Sequence, residues 1–499
     1  MKVAAIKNHF ANWREWELNP IVVKELRQAV RSWAVTGMLM LFLTILFITS
    51  LCFLVFQSFD VDQDTQLGGS MFSAFVAILA GASIFFIPLY IGIRVAAERQ
   101  ENNPDLFYVS TLSPARIIRG KFLCGAYMAL LFFSACMPFM AFTNLLRGID
   151  LPTIFFILFY LFLAVCTANM IAIFLACIPA SRPFRILFAL AGFFASFWVV
   201  IPAVFVSFQF MRSGVGATMG EPNFWIGTLT AVLVAAAITG LFYVLSVALV
   251  SPPSANRALP VRLYITAIWL LGGLLALGWV MKTADATDLN WWAFPSYFLM
   301  AFSLLAVISN SDRLSQRVLR AVPQSPLKRL PAFIFYNGAA GGLLWVAFIV
   351  TATYLTALGI ADYFPKSIKL DDSRPWFTTT AAYIFDYALT ALFIQRKFLA
   401  GRPAKMTGLL AIVLASIWAL APSVILFFLN QLTWKSIEGL ELGNIFNVFS
   451  MHDDSRLVYH TIFAFGWLGL ILLANLKWFF DRVKNFRPPP TDAPPVITE

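Results

Sequence analysis

The sequence predicts an all-α polytopic membrane protein with about twelve transmembrane helices and an N-terminal amphipathic helix on the membrane surface. Of its 499 residues, 60% are hydrophobic, and Phe alone occurs 51 times. The mean hydropathy is +0.79. Only 12% of the residues are charged, about half the share in an average soluble domain. This composition excludes a soluble fold of the same length.

Twelve apolar runs are long enough to cross a bilayer. Each needs roughly 20 residues and a helical backbone, because no amide can stay unpaired in lipid. The first run follows 33 residues rich in Trp, Glu, Lys and Arg and lacks a small-residue cleavage site, so we interpret it as a retained span. We place the runs at about 34–57, 71–93, 122–145, 152–178, 184–209, 225–249, 262–281, 291–309, 332–359, 377–395, 405–430 and 458–478.

The basic residues predict the orientation, because Lys and Arg are retained on the cytoplasmic side. With both termini cytoplasmic, 28 of the 36 basic residues lie inside and 8 outside. The net charge of +11 therefore reports topology. No basic stripe with interleaved aromatics lies outside the membrane-flanking segments, which excludes nucleic acid as a partner. We expect a multi-pass protein of the plasma (inner) membrane, with the lipid bilayer as its surroundings.

Neither the cysteines nor the histidines form a metal-binding pattern. All five cysteines fall inside apolar runs, which predicts small buried apolar side chains. The histidines lie on different segments, so we expect no metal site. The residues are Cys52, Cys124, Cys136, Cys166 and Cys177, with His9, His452 and His460.

The chain is expected to contain two six-span halves between short terminal segments. A weak echo of Ser113-Pro114 in Ser325-Pro326 raises the interpretation that the second half is a degenerate repeat. The predicted divisions are a cytoplasmic segment 1–33, a permease-like half 34–250 with a cytoplasmic loop 94–121, a second half 251–482, and a disordered Pro-rich tail 483–499.

The N-terminal segment predicts an amphipathic surface helix. Asn19 can cap it, and Pro20 fits its first turn. One stripe is apolar and the opposite side is charged, which favours a packed helix over a simple positively charged anchor. The stripe is Val22, Leu26, Ala29, Val30 and Trp33, and the residues expected to face away are Lys24, Glu25, Arg27, Gln28 and Arg31.

The loop 94–121 is polar and contains two predicted helix starts. Asn103-Pro104 begins a short stub over about 104–110, and Ser113-Pro114 begins the helix that continues into span 3. The stub offers Leu106, Phe107, Tyr108 and Val109, four large apolar residues in a row. Such a stub either docks a partner or folds back onto lipid or the span ends.

These two segments resemble the permease subunits of ATP-binding-cassette transporters of the export (type 2) class. The similarity covers about residues 19–33 and 94–122, and the Gly-Thr pair often found ahead of the leucines is replaced by Asn102-Asn103-Pro104. Family permeases usually have about six spans, so the second half lies outside the resemblance. The loop features that match are Glu98 after span 2, Leu106 with Phe107, the turn Thr111 to Pro114, and Ile117, Ile118, Gly120 and Lys121 leading into span 3.

The resemblance implies a transporter subunit without enzymatic activity of its own. The stub would be a coupling helix seated in a separate ATPase subunit, and the N-terminal helix its elbow helix. ATP and Mg would bind to that partner and no cofactor to this chain, whose single Gly-Lys pair lacks the preceding glycine of a nucleotide-binding loop. A second permease copy is a further candidate partner. The expected coupling residues are Leu106, Phe107 and Val109 for docking, and Glu98, Arg116 and Lys121 for electrostatic positioning.

Two other functions remain open from the residues. Asp386 lies near the middle of span 10, where a charged carboxylate costs at least about 2.5 kcal/mol. It indicates either an ion-coupled secondary transporter or a carboxyl that ties two helices together. The acidic first external loop, with Asp60, Asp62 and Asp64, resembles that of polyprenyl-sugar-dependent membrane glycosyltransferases, which implies a membrane enzyme. Such oxygens could bind a divalent ion.

A pair of glycines, Gly338 and Gly342, has the spacing that lets two membrane helices approach closely.

Overall fold

The chain is an all-α polytopic membrane protein. The described residues contain eleven helices that are long and apolar enough to cross a membrane. The remaining predicted span, the fifth at about 184–209, falls within the helix Arg182–Ser213, which contains the shorter apolar segment Ala189–Trp198. The computed structural model describes residues 20–57, 67–101, 113–146, 149–179, 182–310, 314–363, 370–433, 441–450 and 454–488.

The chain divides into two compact units, Met1–Pro252 and Pro253–Glu499. The first unit begins with a short helix that precedes its spans. Its helices are α1 Pro20–Val30, α2 Trp33–Gln57, α3 Leu67–Gly81, α4 Ile87–Glu101, α5 Pro114–Leu145, α6 Leu151–Cys177, α7 Arg182–Ser213, α8 Val215–Thr218 and α9 Pro222–Val250.

The first unit is built around an aromatic and aliphatic core. Phe42 of α2 packs on Phe132 of α5, with ring centroids 5.3 Å apart. Helix α2 buries this one face only, and its neighbours Phe47 and Ile48 are exposed, as expected for side chains that face lipid. The expectation that all five cysteines are buried is wrong for Cys52, which lies exposed on α2 for the same reason, and Cys166 is only partly buried.

Helices α3 and α4 form one span, joined by a π-helical turn at Ala82–Phe86. The cause lies at Pro88, which has no backbone N–H and whose ring crowds the carbonyl of Ile84 four residues earlier. A wider turn relieves this crowding without ending the helix. The buried Ser83 hydroxyl donates to the carbonyl of Leu79 at 2.6 Å within the same region. Span 2 therefore crosses the membrane with one irregular turn in its interior.

The second unit contains the remaining spans and two short helices ahead of span 9. A 3₁₀ turn, Ala286–Leu289, precedes span 8. The last helix extends into the predicted tail, whose residues 489–499 lie outside the described ranges. The helices are α10 Ala258–Thr283, α11 Asn290–Ile308, α12 Gln316–Arg320, α13 Pro326–Phe335, α14 Ala339–Tyr363, α15 Leu370–Phe398, α16 Met406–Thr433, α17 Ile445–Ser450 and α18 Asp454–Asn485.

The start of span 9 differs from the prediction. Pro326 begins a helix, as Pro114 does, but α13 ends at Phe335 and span 9 begins only at Ala339, whereas about 332 was predicted. The buried guanidinium of Arg262 donates to the carbonyls of Ile334, Tyr336 and Gly338 at 2.6, 2.7 and 2.9 Å. Because these carbonyls accept hydrogen bonds from Arg262, they need no backbone N–H of a continuing helix, and the helix can end there. The similarity between the two halves is therefore incomplete: the helix that begins at Pro114 continues into span 3, whereas the helix that begins at Pro326 ends before span 9.

The close helix approach predicted for Gly338 and Gly342 occurs at Gly341 and Gly342 instead. Gly338 precedes α14 with φ +134°, and a Cβ there would meet no described atom within 4 Å. A Cβ on Gly341 would lie 1.8 Å from the carbonyl oxygen of Phe333, and one on Gly342 would lie 2.6 Å from Val307. Gly341 and Gly342 thus permit the tight corner between α13, α14 and α11.

We expect Gly341→Ala to destabilise the protein by about 1–3 kcal/mol, because the added methyl group meets backbone that cannot move aside freely. Thermal unfolding in detergent measures the change. Gly359→Ala is the matched control, since Gly359 lies in the same helix and a Cβ there would meet nothing within 4 Å in the part of the chain that the structure describes. The stability of this variant should be unchanged or higher. Equal melting temperatures for the two variants would contradict the close approach.

Candidate functional site

Helix α1 packs against the start of α5 by a stripe that includes a carboxylate. Val22 and Ala29 are buried, as predicted, but Glu25 between them is only 3% exposed, and the prediction that it faces away is wrong. Val30 and Trp33, predicted on the apolar stripe, are exposed. Val30 is the last residue of α1 and Trp33 is the first residue of α2, so the buried stripe of α1 ends before them.

Glu25 is buried because it pairs with Lys121, which also binds a second carboxylate. The Lys121 ammonium lies 3.1 Å from Glu25 Oε1 and 2.5 Å from Glu98 Oε2. These residues come from α1, from the end of α4 and from the start of α5. Together with Arg94 they are called the ion cluster below. The structure therefore brings together two of the predicted coupling residues, Glu98 and Lys121, around a third residue that sequence reasoning had placed on the solvent side.

Helix α4 contributes a row of polar groups to the ion cluster. Tyr90, Arg94 and Glu98 follow one another at intervals of four residues, which places them on one helix face. Arg94 donates to the Tyr90 hydroxyl at 2.9 Å and lies 3.6 Å from Glu25. At the exposed edge, the Lys24 ammonium is 3.7 Å from the other oxygen of Glu98. Each carboxylate thus faces two cations.

The ion cluster closes the base of the predicted coupling loop. Glu98 lies at the end of span 2, and Lys121 lies in the second turn of α5. The stub 104–110, with Leu106, Phe107 and Val109, lies outside the described residues. Arg116, the other predicted positioning residue, is exposed near the start of α5. The first external loop with its three acids, 60, 62 and 64, also lies outside the described ranges.

The start of α5 is held by further polar contacts from two neighbouring spans. Tyr243 of α9 donates to the carbonyl of Ala115 at 3.2 Å. The Asn169 side chain of α6 donates to the carbonyl of Phe122 at 3.3 Å. A Cβ on Gly125 would lie 2.1 Å from the Asn169 amide nitrogen, so only glycine leaves room for this contact. The loop base is consequently fixed to the spans as well as to α1.

Asp386 lies inside the second unit in α15, and its carboxylate is fully buried. Neither oxygen has a hydrogen-bond partner within the part of the chain that the structure describes. Its neighbours on α15 are better satisfied: Tyr383 lies 2.9 Å from Nδ1 of His460, and Tyr387 donates to the carbonyl of Gly443. The prediction that a hydrogen bond from Asp386 ties span 10 to a neighbour therefore has no partner among these residues.

We expect Lys121→Met to lower the unfolding free energy by about 3–5 kcal/mol, because it removes from the buried Glu25 carboxylate the nearer of its two cations. Lys24→Met is the matched control: its pair with Glu98 is exposed, and such pairs contribute about 0–1 kcal/mol. Thermal unfolding in detergent measures both. In the double variant Glu25→Gln/Lys121→Met, much of the lost stability should return; a further additive loss would contradict the pairing.

No known family model, curated protein or solved structure matches this chain. Its function is therefore inferred from its own residues, above all from the ion cluster and from Asp386.

Proposed function

We propose that this chain is the membrane subunit of an ATP-driven transporter, an exporter of the ATP-binding-cassette type. The observation that carries the proposal is the ion cluster, in which Lys121 joins Glu25 and Glu98 from two other helices. A transporter powered from outside the membrane needs a cytoplasmic segment that receives force and a rigid connection from that segment to the spans. The ion cluster supplies such a connection.

The contacts explain how force on the loop would move the membrane helices. The two ends of the loop leave the bundle at the end of α4 and the start of α5, where Glu98 and Lys121 are paired at 2.5 Å. Glu25 adds the surface helix α1 to the same body. Separating these groups would expose buried charges to an apolar environment, which is strongly unfavourable. Displacement of the loop would therefore move α1, α4 and α5 together.

The partner in this proposal is a separate ATPase that binds Mg and ATP. Leu106, Phe107 and Val109 dock it, while Glu98 and Lys121 keep the loop base closed. Arg116, exposed near the start of α5, is the proposed contact for an acidic group of the partner. The proposed location is the plasma (inner) membrane with both termini cytoplasmic, in agreement with the distribution of basic residues.

We expect a photocrosslinking amino acid at Phe107 to capture an ATPase with a Walker loop in cells, identified by mass spectrometry. The matched control is the same amino acid at Leu327, an exposed leucine between spans 8 and 9 at the start of α13. ATP hydrolysis by the captured subunit should also fall when Leu106, Phe107 and Val109 are changed to Ala. Capture of phospholipid alone from Phe107 would refute docking at the stub.

A second candidate is an ion-coupled transporter centred on Asp386, favoured by the burial of its carboxylate, which has no hydrogen-bond partner among the described residues. Acidic residues within spans often mark ion pathways. Within the described residues, no three His, Cys, Asp or Glu side chains come together in a metal-binding group. A proton, unlike a metal ion, can be bound by a single carboxylate. Proton coupling is therefore the form of this alternative that the surroundings of Asp386 support.

Proton flux in proteoliposomes without ATP separates the two proposals. For an ATP-driven subunit, we expect an imposed membrane potential to cause no flux beyond that of empty liposomes. A flux that disappears in Asp386→Asn but persists in Asp288→Asn would replace the first proposal with the second. Asp288 is the matched control because it lies in the same unit, partly exposed, at a span end.

A further inference from the structure

The second unit contains an apolar cavity of about 580 Å³ among α11, α14, α15 and α18. Leucine, alanine and aromatic side chains make up most of its wall, including Leu343, Ala347, Ala381, Leu389 and Leu472. None of these residues belongs to the ion cluster, and Asp386 is not part of the wall. The cavity is therefore a separate feature from both candidate sites.

The cavity has the dimensions of one long acyl chain. Its wall on α18 runs from Phe465 to Phe479, which corresponds to roughly 21 Å of helix at about 1.5 Å per residue. Half of a bilayer core measures about 15 Å. The cavity volume equals that of roughly nineteen water molecules in the liquid, at about 30 Å³ each. A narrow apolar space of this length fits a hydrocarbon chain better than a compact solute.

The cavity opens sideways in the membrane region. Leu344 of α14 and Leu472 and Leu476 of α18 line it, yet are 38%, 48% and 46% exposed. These residues lie on helices that are long and apolar enough to span a membrane. A side opening at this depth faces hydrocarbon and not water. Lipid can enter it without crossing a polar surface.

One end of the cavity carries positive charge. The wall includes Asn475 and Trp478. Arg396 donates to the Asn475 side-chain oxygen at 2.9 Å, and its guanidinium carbon lies 4.9 Å from the centre of the Trp478 ring. This is the predicted cytoplasmic end of α15 and α18, where Lys477 follows on α18. Guanidinium groups bind phosphate oxygens with charge-assisted hydrogen bonds.

We propose that this cavity binds an anionic phospholipid of the surrounding bilayer. One acyl chain lies between α14, α15 and α18, and the phosphate lies beside Arg396. The apolar wall gains dispersion contacts that an empty cavity lacks, and the cationic end selects anionic over zwitterionic headgroups. The proposal is independent of ATPase docking, because it uses no residue of the first unit.

Photoactivatable lipids test the proposal on the full-length protein in nanodiscs. The probes are phosphatidylglycerol and phosphatidylcholine, each with a diazirine in one acyl chain and added at the same mole fraction. We expect crosslinked peptides from 343–354, 378–389 and 465–479, with at least threefold more product from phosphatidylglycerol. Label spread evenly over all exposed spans, or crosslinks between two copies of this chain at the cavity, would overturn the assignment.

Filling the cavity separates binding inside it from contact with its rim. Ala347→Trp/Ala381→Trp places two indoles in the wall, and we expect at least a tenfold loss of cavity crosslinks. Ala421→Trp is the matched control because it adds an indole at an exposed position on α16, outside the cavity. Unchanged crosslinking in the double variant would contradict the proposal. Only variants with the elution profile and melting temperature of the parent protein are compared.

Changing the charge tests the headgroup separately. We expect Arg396→Gln to retain crosslinks to the chain but to reduce the preference for phosphatidylglycerol to about onefold, and Arg396→Lys to keep part of it. Arg317→Gln, an exposed cation on α12 in the same unit, should keep the full preference. A preference that survives Arg396→Gln would exclude Arg396 as the phosphate site.

Discussion

The meeting of Lys121 with Glu25 and Glu98 determines the arrangement of the first unit at one end of its spans. An ammonium group buried among spans is unfavourable unless carboxylates surround it. An apolar stripe alone would leave α1 free to slide or rotate over the bundle, whereas Glu25 satisfies Lys121 in one position. The ion cluster therefore holds together the surface helix, the end of span 2 and the start of span 3. As a result, both ends of the loop between these spans are fixed.

In the second unit, polar contacts hold a helix break and fix how two spans pack against each other. Arg262 satisfies three carbonyls at the break before span 9. Helices α15 and α18 run side by side in the same direction, since their polar contacts join residues at nearly constant separation in the chain. The contacts are Thr379 with Thr461, Tyr383 with His460, Thr390 with Trp467, and Arg396 with Asn475. These joints hold the wall of the cavity, because apolar packing alone gives membrane helices little preference for one register.

The spans and several helix starts could be predicted from the sequence because their causes are local. A run of about 20 apolar residues has no stable alternative to a spanning helix, and Pro20, Pro114 and Pro326 each begin a helix. The burial of Glu25 could not be predicted, since its partner Lys121 lies 96 residues away. Its position one turn from both Val22 and Ala29, inside the apolar stripe, was the available signal. The late start of span 9 depends in the same way on the distant Arg262.

The distribution of polar contacts also suggests where spans 2 and 3 can bend. The ion cluster fixes them at one end, while their interiors pack through apolar surfaces that slide more easily. Span 2 carries its π-helical turn at Ala82–Phe86, roughly 18–24 Å from Glu98 along the helix, and span 3 carries Pro138 roughly 25 Å from Lys121. Both irregularities therefore lie at a similar depth. Because missing or shifted backbone hydrogen bonds lower the resistance of a helix to bending, force at the loop base of the proposed transporter would pivot both spans near this level.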